Sequence, residues 1–109
     1  MQREMPYLRL NPAHTWFMAI EQGAAVAFVS VELSGKVAKI HNVWVSPTAR
    51  SKGLGRRIVS DCLGWAGTSG AMIAKVVASP EGVKLYEALS FIATGKKGRY
   101  VQMQRGILG

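Results

Sequence analysis

Hydrophobic and polar positions along this chain change their period twice. Thr15-Trp16-Phe17-Met18-Ala19-Ile20 is aromatic and apolar, and Gln22-Gly23 follows it as a turn. Val26 to Leu33 continues with β-branched and aromatic residues and stops at Ser34-Gly35. Val37 to Val45 is the third predicted strand, ended by Ser46-Pro47, because proline gives no amide proton to a ladder and restricts the residue before it. From Leu54 onward Leu54, Ile58, Cys62 and Ala66 recur every fourth position with Arg56, Arg57, Ser60 and Asp61 between them. That spacing predicts an amphipathic helix, weakened at Gly64 and closed by Gly67-Thr68-Ser69-Gly70.

Ala71 to Ala78 is apolar apart from Lys75, the pattern of a strand covered on both faces. Ser79-Pro80-Glu81 reads as a helix start, with Ser79 as N-cap and Pro80 in the first turn, so that Leu85, Tyr86 and Leu89 face inward. Phe91-Ile92-Ala93 and Tyr100-Val101-Gln102-Met103 are predicted strands joined by a Gly95-Lys96-Lys97-Gly98 turn. The order of three strands, helix, strand, helix and two strands implies an α/β mixed central sheet with helices packed on its faces. Val37 to Ala78 should form a right-handed crossover between parallel strands. With 109 residues, one domain spanning 1–109 is expected.

Composition narrows the setting. Apolar runs are far shorter than the roughly 20 residues that span a bilayer, and Met1 to Pro6 lacks the apolar core of a secretory signal. A cytoplasmic, membrane-free protein is expected. Cys62 is the single cysteine, so an intramolecular disulfide and a zinc site of several thiolates are both excluded, and no metal is expected. The net charge of +8 favours polyanions of any kind. Its distribution is more informative: Arg50, Lys52, Arg56 and Arg57 form one group, and Lys96, Lys97 and Arg99 another.

The first basic group lies in Ser46-Pro47-Thr48-Ala49-Arg50-Ser51-Lys52-Gly53-Leu54-Gly55, a glycine-containing loop that enters a helix. Glycines let a ligand approach the backbone, and the first amides of a helix have no internal partner and sit at the positive end of its dipole. That pattern predicts an anion site. A Walker A loop would need Gly-Lys followed by Ser or Thr, and the last glycine of a dinucleotide fingerprint is missing from Gly53-Leu54-Gly55-Arg56-Arg57-Ile58.

Here the sequence resembles the GNAT acetyltransferase superfamily, whose pyrophosphate loop reads Gln or Arg, two residues, Gly, one residue, then Gly or Ala. Arg50-Ser51-Lys52-Gly53-Leu54-Gly55 satisfies that form. Ile40-His41-Asn42-Val43-Trp44-Val45-Ser46-Pro47 is similar to the family's fourth strand, where a bulge opens the sheet and backbone groups hold pantetheine. Val83-Lys84-Leu85-Tyr86-Glu87-Ala88-Leu89-Ser90-Phe91 is similar to the family's second signature, after the expected strand. The resemblance implies acetyl-coenzyme A as cosubstrate and direct transfer of its acetyl group to a primary amine of a small molecule, peptide or protein. Coenzyme contacts fall by position on Val43, Trp44, Val45, Arg50, Ser51, Lys52, Gly53, Leu54, Gly55, Arg56 and Ser79.

Two catalytic candidates follow from the same resemblance. Tyr86 stands where many relatives carry the tyrosine that protonates the departing thiolate; the alternative is a buried helix residue with a bonded hydroxyl. His41 is the candidate base or water relay, on the strand where the family often carries a glutamate that is absent here; the alternative is a histidine on a sheet face with no chemistry. Lys39 reads as a solvated strand lysine and Cys62 as a small core residue rather than a nucleophile. Ser79 replaces a common asparagine.

The opening departs from the family pattern, since Met1 to His14 is too short for the usual first strand and two helices. An uncovered sheet edge invites pairing, so a homodimer that completes the acceptor side is expected, with Trp16 and Phe17 as candidate contacts and at least one of them expected to pack in the core instead. The rival reading is a catalytically degenerate binding module whose Lys96-Lys97-Gly98-Arg99 turn holds nucleic acid, a partner not favoured because no aromatic residues interleave the charges.

Overall fold

The computed structural model describes residues 2–4 and 14–107 of the chain. Strand β1 (Gln2–Glu4) pairs antiparallel with β2 (His14–Glu21), which pairs with β3 (Ala24–Ser34), which pairs with β4 (Val37–Val45). The turn between β2 and β3 is two residues long, with Gln22 at φ 52° and Gly23 at φ 79°; two positive values match the right-handed twist of the flanking strands. A short 3-10 helix (Pro47–Lys52) leads to α1 (Leu54–Thr68), and α1 crosses to β5 (Ile73–Ala78), parallel to β4. Then come α2 (Val83–Ala88), β6 (Ile92–Lys97) and β7 (Tyr100–Gly106). The seven strands form one sheet in the order β1-β2-β3-β4-β5-β7-β6.

Alternation along the strands decides what lies under α1. Phe17 and Ala19 of β2, Val29 and Val31 of β3, and Ala38 and Ile40 of β4 are buried, and they meet Ile58, Val59, Cys62 and Ala66 of α1. Phe17 also meets Trp65 edge-on, with ring centroids 5.5 Å apart. Each large side chain buried there contributes about 1.5–3 kcal/mol. The helix α2 leans on the first turn of α1, where Leu85 lies beside Gly55, and Tyr86 joins the same core. Both described helices therefore share one face of the sheet. Neither is long and apolar enough to cross a membrane.

Several expectations are corrected. A strand does precede β2: Gln2–Glu4 pairs with Met18–Ile20, part of the edge that was expected to be open. Of the two candidate dimer contacts, Phe17 is 2% exposed and belongs to the core, as was expected of at least one of them. In β5 the side chains alternate, with Ala74, Val76 and Ala78 buried and Ile73, Lys75 and Val77 exposed, so only one face is covered. Ser79 does not cap α2. Its carbonyl accepts the Gly82 amide at 2.9 Å in a turn, and the helix begins at Val83 because that turn uses up residues 79–82. Gly95, Lys96 and Lys97 belong to β6; the hairpin turn is only Gly98-Arg99, since Lys97 pairs directly with Tyr100.

Candidate functional site

Strand β4 carries a bulge where Asn42 and Val43 together oppose Val29, between the pairs His41–Ser30 and Trp44–Phe28. Asn42 takes a left-handed φ of 30°, which asparagine tolerates better than most side chains, and its Nδ2 donates to the Oγ of buried Ser30 at 3.4 Å. Beyond the bulge β4 turns away from its parallel neighbour. The β4–β5 ladder ends at Ile40–Val76, while β5 continues to pair with β7 as far as Ala78–Val101. From His41 onward the edge of β4 that faces β5 has no strand partner, so its amides and carbonyls stand along a gap in the sheet.

At the far end of β4 the chain leaves backbone amides without partners. Gly53 ends the 3-10 helix and caps α1 with φ 73°, a conformation costly for any residue with a Cβ. The first intrahelical bond runs from the Arg57 amide to the Gly53 carbonyl at 3.2 Å, so the amides of Leu54, Gly55 and Arg56 precede it and have no partner within the helix. No acidic side chain lies in that first turn. Arg50 Nε donates to the Val45 carbonyl at 3.1 Å, tying the loop to the strand end.

The gap and the helix start belong to one cleft of about 1520 Å³. Among the expected coenzyme contacts, Val43, Trp44, Val45, Arg50, Gly53, Gly55, Arg56 and Ser79 line it, and so do His41 and Tyr86. Lys52 and Leu54 do not; Leu54 is buried against the core, so only its backbone can serve a ligand. Gly55 has a different role from Gly53: a Cβ there would meet Val45 Cγ2 at 3.3 Å and Leu85 at 3.8 Å, so it allows strand, helix start and α2 to close on one another. The cleft passes through the sheet. Val76, Leu85, Tyr86 and Met103 line it on the helix side, whereas Lys39, His41, Lys75 and Gln104 line it on the other.

Tyr86 is 4% exposed and packs edge-on against Phe91, with centroids 5.2 Å apart. Burial, and secondarily the Cys62 thiol, push its phenol well above the ordinary range, so it holds its proton at any working pH. Among the described residues no hydrogen bond ties its hydroxyl. Cys62 is fully buried, and desolvation pushes its thiol up to about 12, which suits a core residue and no nucleophile.

Sequence reasoning missed the surroundings of His41. Its Nε2 lies 3.2 Å from Glu32 Oε1, and its ring stacks on that of His14 at 5.0 Å and 14°. His14 Nε2 lies 3.7 Å from the same oxygen. Only His41 of the three lines the cleft, so the carboxylate sits behind the imidazole. With Nε2 donating to Glu32, Nδ1 is the nitrogen left to accept a proton. Glu32 stands on β3, opposite Lys39 of β4, and only the pairing of the two strands brings it to His41. These three side chains also offer ligand atoms within 4.8 Å of one another, as a divalent ion requires. Both Nε2 atoms approach one carboxylate oxygen, at 3.2 Å for His41 and 3.7 Å for His14, and the two rings stack. Hydrogen bonding through Glu32 accounts for the cluster.

The second basic group does not form a free hairpin tip. Arg99 faces Glu81 at 4.0 Å, and Lys97 lines the cleft.

The profile of the Acetyltransferase (GNAT) family matches residues 1–91. Solved structures share the fold. The acyl-CoA N-acyltransferase described from Klebsiella pneumoniae superposes with a TM-score of 0.82 at 16% identity, over 94% of this chain and 79% of that one. The PaiA N-acetyltransferase of Thermoplasma acidophilum, in complex with coenzyme A, gives 0.81 at 12% identity; 86% of this chain is covered, and the chain spans 61% of that protein's length. An aminoglycoside 6'-N-acetyltransferase complexed with coenzyme A gives 0.81 at 14%, over 92% and 76%. A sequence search of curated proteins gives no match.

Proposed function

The chain belongs to the acetyltransferase (GNAT) family, and on that premise we propose that it is an acetyl-coenzyme A-dependent N-acetyltransferase that moves the acetyl group directly to a primary amine. The observation that carries this reading is the single cleft that joins an uncapped helix start to a separated pair of strands, with a protonated tyrosine in its wall. A pyrophosphate fits the amides of Leu54, Gly55 and Arg56, with Arg50 and Arg56 at its side. Pantetheine runs along the unpaired edge of β4, whose amides also polarise the thioester carbonyl.

A free amine of the lysine type has a pKa of about 10.4 and must lose a proton before attack. His41, oriented by Glu32, accepts that proton at Nδ1. The amine nitrogen bonds to the acetyl carbon, the carbon–sulfur bond breaks, and Tyr86 protonates the leaving thiolate. The products are an N-acetyl amide and free coenzyme A.

Isothermal titration with acetyl-coenzyme A, followed by thiol release over an acceptor panel, tests the reading. Saturable binding with turnover on an amine is expected. Binding without turnover would instead favour a degenerate member that keeps the ligand and has lost the reaction.

A further inference from the structure

The face of the sheet away from α1 holds two lysines where strand pairing brings them together. Lys39 of β4 and Lys75 of β5 are direct partners in the parallel ladder, and both are exposed. Because Ala38, Ile40, Ala74 and Val76 are the buried positions, both lysines lie on the uncovered face. The ladder stops at the very next pair, Ile40–Val76, so the two ammonium groups stand at the base of the gap. Both line the cleft, beside His41, Gln102 and Gln104.

Like charges on directly adjacent strand positions are unfavourable. Solvation is the ordinary remedy for surface lysines, and a partner carboxylate is the next. Glu32 is the register neighbour of Lys39, yet its carboxylate is engaged with His41 and His14, and no acidic group among the described residues pairs with either lysine. Glu81 is the one acidic side chain among the described residues that lines the cleft, and it faces Arg99. Two ammonium groups thus face one carboxylate, Glu32, which lies outside the cleft lining, so the mouth keeps a net positive charge at the place where an acceptor reaches the thioester. A polyamine entering there meets repulsion. An amine that also carries an anion gains two charge-assisted bonds, which hold its nitrogen beside His41.

We propose that the acceptor is a small primary amine bearing a carboxylate, of the amino acid type, with the carboxylate held between Lys39 and Lys75 at the mouth opposite α1. The inference rests on the acetyl-transfer reading above. The reaction is unchanged: the acetyl group moves from sulfur to the amine, the amine proton leaves to His41, and the carboxylate is bound but not transformed.

The experiment compares matched acceptors, tyrosine with tyramine and histidine with histamine, together with spermidine. It reads thiol release and, independently of turnover, calorimetric binding of each amine in the presence of coenzyme A. The carboxylate-bearing member of each pair is expected to win by about tenfold or more in kcat/KM and in affinity, since a charged hydrogen bond is worth at least that factor. Added salt should reduce the preference. In Lys39→Gln/Lys75→Gln the ratio should collapse toward unity, and in Lys75→Arg, which keeps the charge, it should persist. Equal use of both members, preference for tyramine or spermidine, or a ratio unmoved by the double substitution overturns the proposal. Titration of acetyl-coenzyme A alone separates the two readings. Donor binding with no carboxylate-amine binding defeats only the acceptor class, whereas no donor binding defeats the transferase and the acceptor with it. Circular dichroism of the double variant establishes that it is folded.

Discussion

His41 Nε2 lies 3.2 Å from Oε1 of Glu32 on the neighbouring strand, and only the histidine of this pair reaches the cleft. The carboxylate sets which ring nitrogen is free to take a proton, a task that needs no contact with substrate. His41→Ala is expected to lower kcat by a factor of about 10² to 10⁴. Glu32→Gln should lower it by a smaller factor and leave the KM for acetyl-coenzyme A unchanged. Steady-state kinetics with a competent acceptor decide this; full activity in both variants removes the pair from the mechanism.

Tyr86→Phe isolates the hydroxyl, because phenylalanine preserves the edge-on contact with Phe91. A loss of about 10² to 10⁴ in kcat is expected, with the calorimetric affinity for acetyl-coenzyme A almost unaltered. An equal loss of affinity would mean that the residue serves binding rather than the departure of the thiolate.

The two loop glycines should fail for different reasons. Gly53→Ala places a Cβ at φ 73° with no protein atom within 4 Å, so it should cost about 1–2 kcal/mol of stability and leave the packing of Val45 against Leu85 intact. Gly55→Val pushes against Val45 and Leu85 and displaces the helix start, so affinity should fall sharply. Urea denaturation and titration of the same two proteins separate these effects. Identical behaviour would contradict the distinct roles.

Alkaline stability follows from Cys62 and Tyr86. Burial raises the proton affinity of both groups above that of the unfolded chain. The stability each contributes is therefore fully present below its unfolded pKa, about 8.5 for the thiol and about 10 for the phenol. It is lost as pH rises toward the folded value, which is about 12 for Cys62. The urea midpoint should be flat up to about pH 8 and fall above it, with a shallower fall in Cys62→Ala. A thiol-reactive disulfide reagent should label the native protein only when it unfolds. Rapid labelling under native conditions would refute the burial.

Much of the fold was legible because long elements carry strong periodicity. The strand Val37–Val45 and the start of α1 at Leu54 follow directly from the sequence, since a proline and a glycine-basic loop punctuate them. The start of α2 does not, because Ser79-Pro80-Glu81 has the chemistry of a cap but is consumed by a turn closing on Gly82. In β5 an apolar composition conceals that Ile73 and Val77 face outward, a matter of which layers cover the sheet rather than of residue type. Site residues near one another in sequence, from Val43 to Arg56, are legible as a group. Glu32, His14 and Lys75 are not, because they reach the cleft or His41 only through strand pairing, and for His14 an irregularity between Ala19 and Ile20 shifts the register set by the hairpin turn.

The four paired positions between β4 and β5 have a consequence for assembly. They form the one parallel ladder among the described strands, and they join a meander of β1 to β4 to a second antiparallel unit of β5, β7 and β6. Antiparallel hairpins form from near contacts, whereas this ladder waits for α1 to bring distant segments together. The cleft lies where the two units diverge, so it comes into being only when they dock. A ligand that touches both walls binds the docked form alone, and its whole binding free energy then opposes their separation. The coenzyme is in that sense a clamp between the two halves of the sheet.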